Sequence, residues 1–308
     1  MIDTVVLVLF GILSGIGYLL AMVLCVVAYT ALSLAIGRVR ERYFPRKRSG
    51  GNLAESARIR GRMTRMARPT LLMTPTKQPG FSKLGGEPDL PIDQVWPGGQ
   101  KASRAFLAQV DLAEVRAAEG PDWLPADGRL YAFYDDQRLG FADLVQIVHS
   151  REPAGESVSC PANVSPKLRF PERRVEFLQL RSIPSLDWLG IDVRELDDDV
   201  DLDELPDPNE AFGDELQHRI GGYPSEIQEE QMALSCERLR RGLDPYSGEE
   251  PASAILRASK AWRLLLQIDS DPALKMNWGD GGMLYVFIRE QDARAGDFAK
   301  TVTLYQTY

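Results

Sequence analysis

Two distant stretches of this chain are written in the same pattern, so both copies must be built into the fold. FLAQVDL at 106–112 is followed by GRLYAFYDDQ at 128–137, and LLLQIDSD at 264–271 is followed by GGMLYVFI at 281–288. Leu107-x-Gln109-x-Asp111 corresponds to Leu265-x-Gln267-x-Asp269, and Gly128-x-Leu130-Tyr131-x-Phe133 to Gly282-x-Leu284-Tyr285-x-Phe287. Ahead of each pair stands a double-glycine element, Lys83-Leu84-Gly85-Gly86-x-Pro88 and Arg219-Ile220-Gly221-Gly222-x-Pro224. The glycine pairs call for tight turns or close backbone approach.

Period-two alternation reads 106–111 as a strand, with Phe106, Ala108 and Val110 on one face and Leu107, Gln109 and Asp111 on the other. DLAEVRAAEG at 111–120 reads as a short helix closed by Gly120. Strands are also expected at 144–150 and 174–183, a loop at 151–171, and a helix at 226–242 capped by Gly242. Together these predict an α+β, internally duplicated domain over 69–308. Its two similar strand–helix–strand halves, about 80–150 and 215–308, carry antiparallel sheets. Each half is small for a core of its own, so one cooperative body is expected.

The motifs that carry this pattern are the paired GG-x-P elements, FLAQVDL, LPADGRLYAFYDD, HRIGGYP, LLLQIDSD and MNWGDGGMLYVFI, spanning about 80–291. In this order they resemble the YwqG-like family, a bacterial family of domains. The resemblance implies an α+β fold with two similar halves of antiparallel sheet and helix. It implies no catalytic residue, and it explains neither the N-terminal apolar run nor the acidic stretch described below.

That apolar run, 4–36, contains no charged residue and exceeds the roughly 20 apolar residues that cross a bilayer. It is too long, and lacks the basic leader, for a secretory signal peptide. A retained transmembrane helix is therefore expected after a short non-cytoplasmic N-terminus at 1–3. Gly11 and Gly15 have the spacing that lets two membrane helices approach. Arg38, Arg40, Arg42, Arg46, Lys47 and Arg48 follow and predict a cytoplasmic location for everything beyond, at the bacterial inner membrane. Residues 37–68 form a basic juxtamembrane linker. On a helix over 53–68, Arg58, Arg62 and Arg65 line one stripe and Ile59, Met63 and Met66 the next, so an interfacial helix on anionic lipid competes with a solvated linker.

Residues 1–68 hold 11 Lys/Arg against 3 Asp/Glu, and the rest of the chain 25 against 41. A soluble part this acidic argues against nucleic acid as a partner. The three cysteines, Cys25, Cys160 and Cys236, support neither a disulfide framework nor a zinc site, and they fit a reducing compartment. His149 and His218 lack metal-ligand spacing. In the acidic run 192–210, Asp199, Asp201, Asp203, Asp207 and Glu210 approach a calcium loop, but Glu204 stands where glycine is needed and Pro206 follows. A solvated loop is the expectation there. No motif asks for a cofactor, and no G-x-S-x-G, P-loop or H-E-x-x-H occurs.

The remaining candidates are the repeated polar groups. Gln109 and Asp111, with Gln267 and Asp269, either bond backbone around the adjacent glycine turns or face each other across a cleft. In the second case Trp278 and Asp280 join them, binding a small polar ligand or a peptide. The expectation is a protein- or ligand-binding module. A hydrolase using carboxylates between the repeats is the alternative.

Overall fold

The computed structural model describes residues 53–98, 103–135, 143–197, 200–213, 217–228 and 231–308. Helix α1 (Leu53–Arg65) leads directly into strand β1 (Arg68–Pro75). Then follow β2 (Lys83–Leu84), β3 (Ala105–Asp111), helix α2 (Leu112–Ala117), β4 (Arg129–Tyr134), β5 (Val145–Ser150) and β6 (Arg173–Ser182). The rest runs β7 (Arg219–Gly221), α3 (Met232–Arg240), α4 (Ser253–Ser259), β8 (Trp262–Asp269), β9 (Met283–Arg289), α5 (Glu290–Arg294) and β10 (Val302–Gln306).

All ten strands form one sheet in the order β10-β9-β8-β7-β1-β6-β2-β3-β4-β5. Every ladder in it is antiparallel. The sheet curls until its two edges approach: the Thr303 hydroxyl on β10 accepts from Val145 N–H on β5 at 3.2 Å. This corrects the expected α+β body of two strand–helix–strand halves. The helices are few and short, and the two sheets are one nearly closed sheet. In the second copy, Asp271 caps only a three-residue turn, Pro272–Leu274, where the first copy has α2. The expected transmembrane helix at 4–36 and the cations at 38–48 lie outside the described residues. Among those described, no helix is long and apolar enough to cross a membrane.

The two copies are joined by exchanging their leading strands. β1 precedes the first copy but pairs with β7 of the second, while β6 precedes the second copy and pairs with β2 of the first. β1 and β6 then pair with each other through eight residues, Arg68↔Ser182 to Pro75↔Val175. Neither half can close its sheet alone, because each lacks a strand that the other supplies.

A bulge also revises the face assignment. The register slips between Phe106 and Ala108 in β3, and between Leu264 and Leu266 at the matching place in β8. One extra residue moves every side chain after it to the other face. Phe106 therefore packs outside the sheet with Leu90, Tyr131 and Phe133, while Ala108 and Val110 point into the interior cluster. That interior is filled from both copies by Leu71, Met73, Val110, Ile147, Ile220, Ile268, Val286 and Ile288, among others. A void of about 10 Å³ lies beside Ala108, Val110, Leu130 and Ile220, at most room for one water molecule.

The outer faces are covered separately. Met232 and Cys236 of α3 pack on Trp262, Tyr285 and Phe287. Ile59 and Met63 of α1 are buried against Leu189, with Leu196, Val200 and Leu205 of the acidic stretch alongside. Burying two such side chains contributes about 1.5–3 kcal/mol each. The apolar stripe of α1 is thus turned onto protein. Arg58 and Arg65 stay exposed, whereas Arg62 donates to Leu189 O at 3.1 Å and Arg60 pairs with Glu204 at 2.8 Å. In the acidic run, Asp201 and Asp207 accept from the backbone N–H groups of Asp203 and Asn209. Asp199 lies outside the described residues, and among those described no acidic or histidine group could hold a metal ion.

Candidate functional site

The repeated glutamines are fully buried. Gln109 accepts from Asp89 N–H at 2.9 Å and donates to Phe81 O at 2.8 Å. Gln267 accepts from Ser225 N–H at 3.0 Å and donates to Gln217 O at 3.0 Å. In each copy the buried side-chain amide clamps the two ends of the double-glycine loop, bonding one backbone donor and one backbone acceptor. Tyrosine completes the clamp, with Tyr131 donating to Asp89 O at 2.9 Å and Tyr285 to Ser225 O at 2.6 Å. The glycines are needed because the loop crosses the neighbouring strand closely. A Cβ on Gly222 (φ +74°) would lie 2.0 Å from the Thr70 hydroxyl.

The carboxylates diverge between copies. Asp111 caps α2 through Ala113 and Glu114 N–H and pairs with Arg129 at 3.2 Å. Asp269 accepts from Gln217 N–H at 3.0 Å, and burial raises its pKa. The cap of the following turn passes to Asp271, which is wholly buried. Burial pushes Asp271 up, but the His218 hydrogen bond and the Arg173 charge outweigh that and bring it down to about 2. His218 stands where the first copy has Ser82. The Ser82 hydroxyl accepts from Asp111 N–H at 3.0 Å, and His218 Nδ1 accepts from Asp269 N–H at 3.1 Å. With Nδ1 accepting, Nε2 carries the proton and faces the Asp271 carboxylate at 3.3 Å.

Trp278 is buried, donates to Asp269 O at 3.1 Å, and packs edge-on against Tyr134 at 5.1 Å. Asp280 is exposed in a turn tied to the C-terminal strand, its N–H donating to the Thr307 hydroxyl at 2.8 Å. The glutamines and aspartates each serve their own copy, Trp278 joins the interior, and Asp280 stands alone at the surface.

The counter-ions of the two loops differ. Lys83 lies 3.3 Å from both Asp89 and Glu172. Arg219, its counterpart, has Ser225 and Thr70 at the matching positions. It hydrogen-bonds Gln217 and Ser225 and stacks 3.8 Å from the Phe212 ring, and burial lowers it to about 9.

These matched clamps lie within one stretch of sequence. Residues 82–307 match the family described as a domain of unknown function, DUF1963. The chain belongs to the DUF1963 family. No curated protein matches it.

One corner, which Arg68 enters from outside the matched residues, was not among the sequence candidates. Arg68, at the start of β1, lies over the Tyr223 ring at 4.1 Å and beside Trp188 at 5.6 Å. Its only sequence signal is its place at the end of a basic run, which reads as solvated charge.

Proposed function

We propose that this DUF1963 domain is a binding module and performs no chemistry of its own. The observation that carries the reading is His218, the most obvious acid–base group beside a carboxylate. Both its ring nitrogens are committed, one to Asp269 N–H and the other to Asp271. A general base needs a free nitrogen within reach of a substrate proton, and this one is 2% exposed. Asp271 is likewise held by Arg173 and by two backbone N–H groups. The polar pairs that would line a catalytic cleft clamp loops instead, and the interior cavity beside Ala108 and Val110 is too small for a substrate.

The hydrolase reading is tested with the purified full chain on carboxylic ester, phosphate ester and glycoside substrates. The expected outcome is no turnover above buffer. Turnover that disappears in both His218→Asn and Asp271→Asn would overturn the proposal.

Within the family, the order of the GG-x-P, FLAQVDL and LPADGRLYAFYDD motifs supports a place among the YwqG-like members. The basic residues 38–48 and the free thiols of Cys160 and Cys236 support a location on the cytoplasmic side of the inner membrane. Protease digestion of the domain from outside intact spheroplasts would refute that location.

A further inference from the structure

We propose that Arg68, with Tyr223 and Trp188, forms a binding site for an oxyanion, a carboxylate or phosphate group, on the outer face of the sheet. The inference rests on the binding-module reading and names the ligand chemistry. Its basis is an arginine held in place with nothing to hold.

Arg68 begins β1 opposite Ser182 of β6, so its backbone is fixed by the central ladder. Its guanidinium lies face-on to Tyr223, whose hydroxyl donates to Met66 O at 3.0 Å and is thereby locked. Trp188 packs edge-on against Tyr223 at 5.3 Å and forms the second wall. Stacked on an aromatic face, a guanidinium leaves its rim of N–H donors free for planar, two-point recognition of an oxyanion.

Those donors are unspent. Nη1 is buried and has no hydrogen-bond partner. Among the described residues, no carboxylate lies within ion-pair distance of Arg68. The nearby acids are already engaged. Glu226 accepts from Trp188 Nε1 and the Ser185 hydroxyl, each at 3.0 Å. Glu290 is shared between Arg263 and Arg294, each at 2.9 Å. Arg263 adds a second positive charge near Arg68, and burial brings the Arg68 pKa down to about 10. A buried donor without a partner costs about 1–3 kcal/mol, more when it is charged. An arriving anion would relieve that cost. Arg219, which is also buried, differs: the Phe212 ring and the oxygens of Gln217, Ser225 and Tyr223 surround it.

The test uses the full chain labelled with ¹⁵N at arginine and follows the Nε–Hε signals during titration. The titrants are sodium phosphate and sodium acetate, each against sodium chloride at matched ionic strength. The expected result is saturable movement of one signal, absent from the spectrum of Arg68→Gln. Saturation by phosphate alone assigns a phosphate source, and saturation by acetate assigns a carboxylate source. Arg68→Lys keeps the charge but not the fork, and should bind roughly tenfold more weakly. It serves as the second variant should Arg68→Gln fold poorly. Linear movement without saturation, or equal binding by Arg68→Lys, would overturn the site. That failure would leave the binding-module reading standing, because that reading is overturned by turnover and not by loss of an anion.

Discussion

Replacing Gln267 with leucine should separate what the repeated glutamines do from what they resemble. Leucine nearly matches the volume, so packing in this fully buried position is kept and the polar loss is isolated. The loss has two parts. Ser225 N–H and Gln217 O, each 3.0 Å from the side chain, are left without a partner. A buried backbone group deprived of its partner costs about 1–3 kcal/mol, so Gln267→Leu should destabilise the domain by about 4 kcal/mol. Against a typical total of about 5–15 kcal/mol, that is a large fraction. The measurement is urea unfolding followed by tryptophan fluorescence, with an unchanged slope confirming that only stability has moved. Gln109→Leu should cost less, because Phe81 is exposed and Asp89 half-buried, so water can take up the Asp89 N–H and Phe81 O that it releases. The two losses should add, since the clamps share no partner. A loss below about 1 kcal/mol in Gln267→Leu would refute the clamp, since an orphaned buried group costs at least that.

Tyr285→Phe removes one hydroxyl bond at 2.6 Å and should cost about 1 kcal/mol by the same unfolding assay, with Tyr131→Phe similar. Acid should destabilise the domain. The Asp271 carboxyl falls from 3.8 to about 2 on folding, and Glu237, hydrogen-bonded by Arg240, from 4.5 to about 2. A depressed folded-state pKa stabilises fully above the unfolded value and is lost as pH falls, so stability should drop between pH about 4.5 and 2. Asp271→Asn should remove about 2 kcal/mol of that drop, read from unfolding midpoints across the range. Asp269, raised by burial, opposes the trend.

The clamps were legible in the sequence because a polar pair kept in both copies, at one strand register, must serve something common to both. What they serve, the double-glycine loops, was written beside them. The strand exchange was not legible. Pro69 and Pro75 bracket β1 and read as punctuation, while Thr70 to Met73 are buried on both faces of a central strand and show no alternation. Order along the chain also says nothing about which half a leading strand joins. The helix expected over 226–242 begins only at Met232, since the N–H groups of Ile227 and Gln228 bond the Gln306 side chain instead of opening a helical turn. The bulge in β3 reversed Phe106 because a one-residue slip leaves no mark in the alternation on either side of it. Arg68 was invisible for a different reason. A cation is distinguished by the partners it lacks, and only three dimensions show that Tyr223 and Trp188 hold it while no acid reaches it.

Structure and recognition thus fall on different residues, and one set of unfolding midpoints separates them. The wild-type chain, Arg68→Gln and Gln267→Leu are each unfolded in urea with and without whichever of phosphate and acetate saturates the site in the titration, at about ten times its dissociation constant, ionic strength held equal. That anion should stabilise the wild type by about 1.4 kcal/mol. Gln267→Leu should be weakened yet gain the same increment, and Arg68→Gln should gain nothing. An increment lost in Gln267→Leu and kept in Arg68→Gln would contradict this, and would place the site at the repeated glutamines.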